Sequence, residues 1–267
     1  MNKKIFIATG TILIVLIAGL FFTVGKGCLC SLGQQPGSAL LGQVKDLQAK
    51  RDLLGLKAVY QKLVNDLPNS NEVMNWQKNI DDINIKLLFS PVLTPKSIAY
   101  EIKPGDTLTK IAREFKTTPD LIKKSNNLSS DIITPGKKIK VCTAIFNILV
   151  DKSQNILILK SDEDIVKTYI VSTGKNNSTP VGTFKITSKL MNPTWFKTGA
   201  VVPPGSPENI LGTRWMGINL PSYGIHGTTE PQSLGKQVTQ GCVRMANQEA
   251  EEVYTIVPLG TEVTIVD

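Results

Sequence analysis

The 267 residues predict a multidomain chain of four parts in series: an N-terminal transmembrane helix, an α-helical hairpin, a small βααβ domain and a mainly-β C-terminal domain. Three features of the apolar pattern carry that prediction. Residues 5–24 form an uncharged apolar run of twenty. Residues 40–87 repeat apolar side chains at three- and four-residue spacing, the period of a helix face. From residue 144 the alternation shifts to every second residue and the segments become rich in β-branched side chains. The boundaries that follow are 1–30 (cytoplasmic tip and membrane helix), 31–97 (linker and hairpin), 98–142 (βααβ domain) and 143–267 (β-rich domain).

The run at 5–24 is long enough as a helix to cross roughly 30 Å of hydrocarbon. Lys3 and Lys4 precede it and only Lys26 follows closely, which places the N-terminus in the cytoplasm and the rest of the chain outside. Gly25-Lys26-Gly27 before Cys28 is a poor cleavage site and a poor lipobox, so an uncleaved anchor is favoured over cleavage or lipidation. In the hairpin, Leu53, Leu56, Tyr60, Leu63 and Leu67 mark a first helix running from Leu40 to Leu67. Pro68-Asn69-Ser70-Asn71 breaks it, and Val73, Trp76, Ile80, Ile83 and Leu87 mark a second. Residues 40–89 are read as a spacer, with self-association or a protein partner as the other roles open to them. Ser90-Pro91 to Pro95-Lys96 is a linker.

Composition narrows the class further. A chain this long buries a sizeable core and needs no disulfide framework. The net charge of +8 favours an anionic surface such as cell wall or membrane. Lys and Arg are dispersed and form no nucleic-acid motif, so no nucleic-acid partner is expected. Cys28, Cys30, Cys142 and Cys242 match no zinc spacing, and a single histidine cannot complete such a site. No metal or other cofactor is expected.

Within 98–142, a short strand turns at Pro104-Gly105, and Asp106 or Thr107 caps a helix whose inner face is Leu108, Ile111, Ala112 and Phe115. A second helix opens at Thr118-Pro119, with Pro at its first position, and a strand from Lys138 to Val141 closes the unit. Tyr100, Gly105-Asp106-Thr107-Leu108, Ile111-Ala112, Phe115, Leu121, Asn126, Leu128, Gly136, Ile139 and Val141 together resemble the LysM domain over its whole length. The resemblance implies a shallow groove for GlcNAc-containing glycan strands, formed by Gly105, Asp106 and Thr107 on one side and Ile133 and Thr134 on the other. Helix capping alone also accounts for Asp106 and Thr107. Cys142 reads as a small core filler.

The β-rich domain, sandwich-like or barrel-like, has one helix over Asn247–Val257 and a last strand at Glu262–Val266. Its chemistry concentrates in residues 225–245, which hold the single histidine, His226, and a cysteine in Gly241-Cys242-Val243-Arg244. Thiol acyl transfer needs a base that accepts a proton near neutral pH and a thiol more acidic than free cysteine. Glycines beside both residues allow a substrate backbone to approach closely. His226-Gly227 followed by Thr239, Gly241, Cys242, Val243 and Arg244 resembles the catalytic motif of the L,D-transpeptidases (YkuD-type domain). Ser172-Thr173-Gly174-Lys175, Thr179-Pro180-Val181-Gly182, Asn209-Ile210-Leu211-Gly212 and Tyr223-Gly224 extend the likeness. Many members have a second histidine where this chain has Gln240, so His226 alone is left as imidazole base.

The resemblance implies Cys242 as nucleophile and His226 as base, with the imidazole oriented by the carbonyl of Gly227. Backbone N–H groups around Gly241 and Cys242 would form the oxyanion hole. Arg244 could grip a carboxylate of the peptide stem or form a structural ion pair. Thr239 could bond locally or touch substrate, and Tyr223 is placed on the substrate side. Trp195 belongs either to a loop over the cleft or to the core. The implied activity is peptidoglycan cross-linking from a single-pass position in the bacterial plasma membrane. An L,D-carboxypeptidase using water as acceptor and a non-enzymatic wall anchor are the rival readings.

Overall fold

The computed structural model of the chain describes residues 37–267; the predicted membrane helix at 5–24, with Cys28 and Cys30, lies outside them. No described helix is long and apolar enough to cross a membrane. Among the described residues, the region of the expected hairpin contains three helices in place of two: α1 (Ser38–Ala49), α2 (Leu53–Asp66) and α3 (Val73–Leu88). The first predicted helix is cut because Arg51 adopts φ 55° and the Asp52 carboxylate caps the new helix, accepting from Gly55 N–H at 2.9 Å. Leu56, Val59, Tyr60 and Leu63 of α2 then pack against Trp76, Ile80, Ile83 and Leu87 of α3.

β1 (Ser97–Glu101) and β2 (Lys138–Cys142) pair antiparallel around α4 (Leu108–Glu114) and α5 (Pro119–Ser125), giving the expected βααβ unit. Thr107 caps α4 and Thr118 caps α5 through their side-chain oxygens. Asn126 ties the end of α5 to β2, accepting from Lys140 N–H at 2.7 Å and donating to Lys140 O at 2.8 Å.

The β-rich domain is built on β3 (Phe146–Asp151), β4 (Ile156–Ser161), β5 (Asp164–Ile170), β6 (Thr173–Gly174), β7 (Gly182–Met191), β8 (Trp195–Lys197) and β9 (Ala200–Val202). It continues through β10 (Arg214–Ile218), β11 (Gly224–His226), β12 (Gln237–Thr239), β13 (Val243–Arg244), α6 (Asn247–Ile256) and β14 (Glu262–Val266). Eight strands form one sheet in the order β13-β11-β10-β7-β14-β3-β4-β5, while β6–β12 and β8–β9 form two-stranded pairs. The last strand, β14, sits mid-sheet, parallel to β3 and antiparallel to β7. Just past β5, Ser172 bridges Arg244 of β13 with backbone hydrogen bonds of 2.7 and 2.9 Å. This bridge ties the segment after β5 to β13, the strands at the two ends of the sheet order, within a mainly-β domain.

The other parts pack on this domain. α3 covers the edge strand β5: Thr168 N–H donates to Asp81 Oδ2 at 3.0 Å and Asn84 Nδ2 donates to Val166 O at 2.8 Å. These bonds satisfy backbone groups that an open edge would leave unpaired. Ile85 of α3 and Leu121 of α5 enter the same apolar cluster as Ile148, Leu157, Met216 and Val253. Cys142 is buried there too.

Candidate active site

The site forms where β11 and β13 run side by side. They are parallel, with Ile225 opposite Val243 and His226 opposite Arg244, and β10 lies antiparallel with Trp215 opposite His226. Strand side chains alternate between faces, so Trp215, His226 and Arg244 share one face. Cys242 immediately precedes β13, and its thiol lies against the backbone of Ser222 and Gly224 at the start of β11. The register thus sets the Cys242 turn beside the strand that ends in His226, sixteen residues earlier in sequence.

His226 is 2% exposed. Its Nδ1 lies 2.6 Å from the carbonyl oxygen of Gly227. A carbonyl only accepts, so Nδ1 carries the proton and Nε2 keeps its lone pair. Burial lowers the pKa to about 4; the charge of Arg244 lowers it further and the bond to Gly227 opposes the change. Trp215 stacks beside the imidazole, with ring centroids 5.9 Å apart and planes at 21°. Gly217 and Gly224 make room for the indole: a Cβ on either would come within 2.9 Å of it.

Thr239 builds the turn that presents the thiol. Its hydroxyl accepts from Gly241 N–H at 3.2 Å and donates to Cys242 O at 2.7 Å. Gly241 has φ +127°, and a Cβ there would lie 2.6 Å from the Tyr223 ring, so both backbone and packing require glycine. Tyr223 is thereby set against the Cys242 turn. The Cys242 thiol donates to Ser222 O at 3.5 Å. Ser222 itself has φ 69°, an uncommon conformation for this residue type that turns its carbonyl within reach of the sulfur.

Two expectations change here. Burial pushes the Cys242 thiol up rather than down, outweighing a hydrogen bond from the Gly224 backbone and the nearby Arg244 charge. The resting pair is therefore neutral thiol with neutral imidazole, and among the described residues no hydrogen bond joins them. Gly241 N–H is taken by Thr239, so it is not free to serve an oxyanion. Cys242 N–H has no partner among the described residues.

Arg244, 5% exposed, is engaged already: Nη1 donates to Glu230 Oε2 at 2.6 Å and to Ser233 Oγ at 3.0 Å. Its Nε is buried without a partner. Trp195 lies in the β8–β9 hairpin with Lys197 Nζ 4.9 Å over its ring; the indole against the imidazole is that of Trp215. In the βααβ unit, Asp106 accepts from Lys103 N–H at 2.8 Å and from Tyr100 Oη at 2.9 Å, closing the loop that holds Gly105 and Thr107. Ile102 bonds to Gly136 N–H and Lys137 O, which sets that loop beside the one bearing Ile133 and Thr134. Among the described residues no group of His, Cys, Asp and Glu is arranged to hold a metal ion.

Trp215, Ser222 and Glu230 are site residues that the sequence pattern did not single out. Trp215 depends on strand register and Ser222 on a loop conformation. Glu230 depends on a contact across the loop between β11 and β12. The only local signal was the pair of glycines that accommodates the indole.

The YkuD profile, the L,D-transpeptidase catalytic domain, matches residues 146–265, and the LysM domain profile matches residues 100–141. YkuD of Bacillus licheniformis is 35% identical over 177 residues, covering 63% of this chain and 98% of that protein. YkuD of Bacillus subtilis is 34% identical over 175 residues with the same coverage. YqjB of Bacillus subtilis is 40% identical over 126 residues, or 45% of this chain and 70% of that protein. A solved L,D-transpeptidase from Mycobacterium smegmatis aligns at 20% identity with a TM-score of 0.40, over 49% of this chain and 64% of that one. With nearly the whole of the two YkuD proteins matched, and with the catalytic-domain profile present, the chain belongs to the L,D-transpeptidase family.

Proposed function

We propose that the protein is a peptidoglycan L,D-transpeptidase in which Cys242 carries the acyl group. The observation that supports this most directly is the register of β11 and β13, which pairs Ile225 with Val243 and His226 with Arg244, next to the turn that carries Cys242. The fixed tautomer leaves Nε2 as proton acceptor. In the first half-reaction the thiol proton passes to His226 Nε2 as sulfur attacks the carbonyl between the stem's third residue and its terminal D-alanine. The C–N bond breaks, the leaving amine takes the proton from His226, and a thioester remains. In the second, the side-chain amine of another stem attacks the thioester and gives its proton to His226. The C–S bond then breaks and the proton returns to sulfur. Because both groups are neutral at rest, proton transfer accompanies attack instead of preceding it.

The wider arrangement fits an enzyme held at the wall. The LysM loops at 103–107 and 132–136 would hold GlcNAc-containing glycan. The apolar run at 5–24 would keep the chain on the outer face of the plasma membrane. Arg244 would steady the strand pair through Glu230, with its unpartnered Nε available to a stem carboxylate if the loop opens. Tyr223, packed on Gly241, would border the bound stem, and Trp195 in the β8–β9 hairpin would contact its outer part.

Intact-protein mass spectrometry after incubation with meropenem tests the nucleophile. A covalent adduct is expected on the parent and none on Cys242→Ala; an adduct persisting on the variant removes Cys242 from the mechanism. Muropeptide analysis of digested wall then reads the acceptor. Cross-linked dimers are expected, and tripeptide monomers alone would convert the assignment to an L,D-carboxypeptidase.

A further inference from the structure

Asn247 opens α6, five residues beyond Cys242, yet its side chain does not cap that helix. It reaches between two loops instead. Oδ1 accepts from Thr213 N–H at 3.1 Å and from Thr228 N–H at 2.9 Å, while Nδ2 donates to Thr228 O at 2.8 Å. Both loops place a glycine against the amide: a Cβ at Gly212 or at Gly227 would strike Asn247 Oδ1. Gly212 also has φ +63°. One side chain thus joins the approach to β10 to the segment that follows β11.

That segment is the one that holds the imidazole. Gly227 O receives the His226 Nδ1 proton, and Gly227 is the residue immediately before the clamped Thr228. Thr228 Oγ1 in turn accepts from Glu230 N–H at 2.9 Å, and Glu230 holds Arg244. A peptide unit fixed by hydrogen bonds at its neighbour cannot rotate its carbonyl freely. If it could, Nδ1 would lose its acceptor and the proton could move to Nε2, which would then be unable to take one from the thiol.

We propose that Asn247 is a positioning residue for the acyl-transfer site, holding the Gly227 carbonyl so that His226 keeps its Nδ1–H tautomer and orientation. This rests on His226 being the base, but its primary test does not depend on acyl transfer. His226 is the only histidine in the chain, so ¹⁵N-histidine labelling gives a single imidazole whose two-bond ¹H–¹⁵N correlations report its tautomer directly. The parent is expected to show Nδ1–H at pH 7. Asn247→Ala removes all three hydrogen bonds and is expected to show a mixture with Nε2–H. Loss of the Gly227 bond, which favours the imidazolium, should not raise the imidazole pKa above about 4, and meropenem acylation should slow at least tenfold. Asn247→Asp keeps the acceptor for both N–H groups and should recover the Nδ1–H pattern.

Circular dichroism and thermal melts establish that each variant is folded. If Asn247→Ala does not fold, Asn247→Ser is read in its place, since its short hydroxyl cannot span both loops. A folded Asn247→Ala or Asn247→Ser with an unmixed Nδ1–H spectrum overturns the proposal, whether or not acylation slows. Failure of meropenem to acylate the parent would count against the proposed function alone, because the tautomer of the unreacted enzyme is still read.

Discussion

His226 is held neutral at physiological pH by its surroundings, and this sets the pH behaviour of the site. Its pKa of about 4 lies below the ordinary 6.5 because burial disfavours the imidazolium and Arg244 repels it. Two consequences follow with definite sign. First, the acylation rate should stay level as pH falls through 6.5 and decline only near 4, where Nε2 becomes protonated; an acid limb already falling at 6.5 would contradict the buried imidazole. Second, between pH 6.5 and 4 the unfolded chain binds a proton at this residue that the folded chain does not. This contribution to stability is therefore complete above 6.5 and is lost as pH falls toward 4. Over that window it amounts to about 3 kcal/mol. Urea denaturation at pH 7 and pH 4.5 should show a smaller loss in His226→Gln than in the parent, and equal losses would count against it.

Among the elements, α3 does two jobs with two faces. Trp76, Ile80, Ile83 and Leu87 pack on α2, while Asp81, Asn84 and Ile85 meet β5. Asn84→Ala would leave Val166 O buried without its donor, which costs about 1–3 kcal/mol. Urea denaturation should register that loss while meropenem acylation of the folded protein stays at the parent rate. An unchanged midpoint would mean that α3 does not stabilise the edge. The apolar face of α3 was legible in the sequence because helical spacing is local. Its polar face was not, since Asp81 and Asn84 bond backbone groups of a strand more than eighty residues downstream. The break before α2 had a signal in Asp52, but apolar spacing continued across it and concealed the cap. The active site divides in the same way. Thr239, Gly241 and Cys242 form one tight turn whose residue types announce it, whereas Trp215 reaches His226 only through strand register and Asn247 reaches Thr228 only through the docking of α6.

At the scale of the whole molecule, the expected linker at 90–96 is not a free tether. Lys96 Nζ, in the segment before β1, pairs with Asp162 and Asp164 at 2.9 and 3.0 Å. The buried Lys140 of β2 donates to Leu87 O and Ser90 O at the end of α3, and Thr118 Oγ1 donates to Thr255 O of α6. The distance from the LysM loops to the thiol is then set by contacts, not by the statistics of a flexible chain; under the proposed function, any gain from binding glycan and stem together would depend on that spacing. The same contacts predict shared stability. Leu121 belongs to the LysM unit by sequence and to the β-domain core by packing, and it is 1% exposed. Leu121→Ala should cost about 2–5 kcal/mol through lost burial and the cavity it leaves. Hydrogen exchange followed by mass spectrometry locates that cost. Peptides from 100–141 and from 243–266 should lose protection together in the variant, because the core they share has been opened. Loss confined to 100–141 would show the LysM unit opening alone, with its loops at 103–107 and 132–136 no longer held at one distance from Cys242.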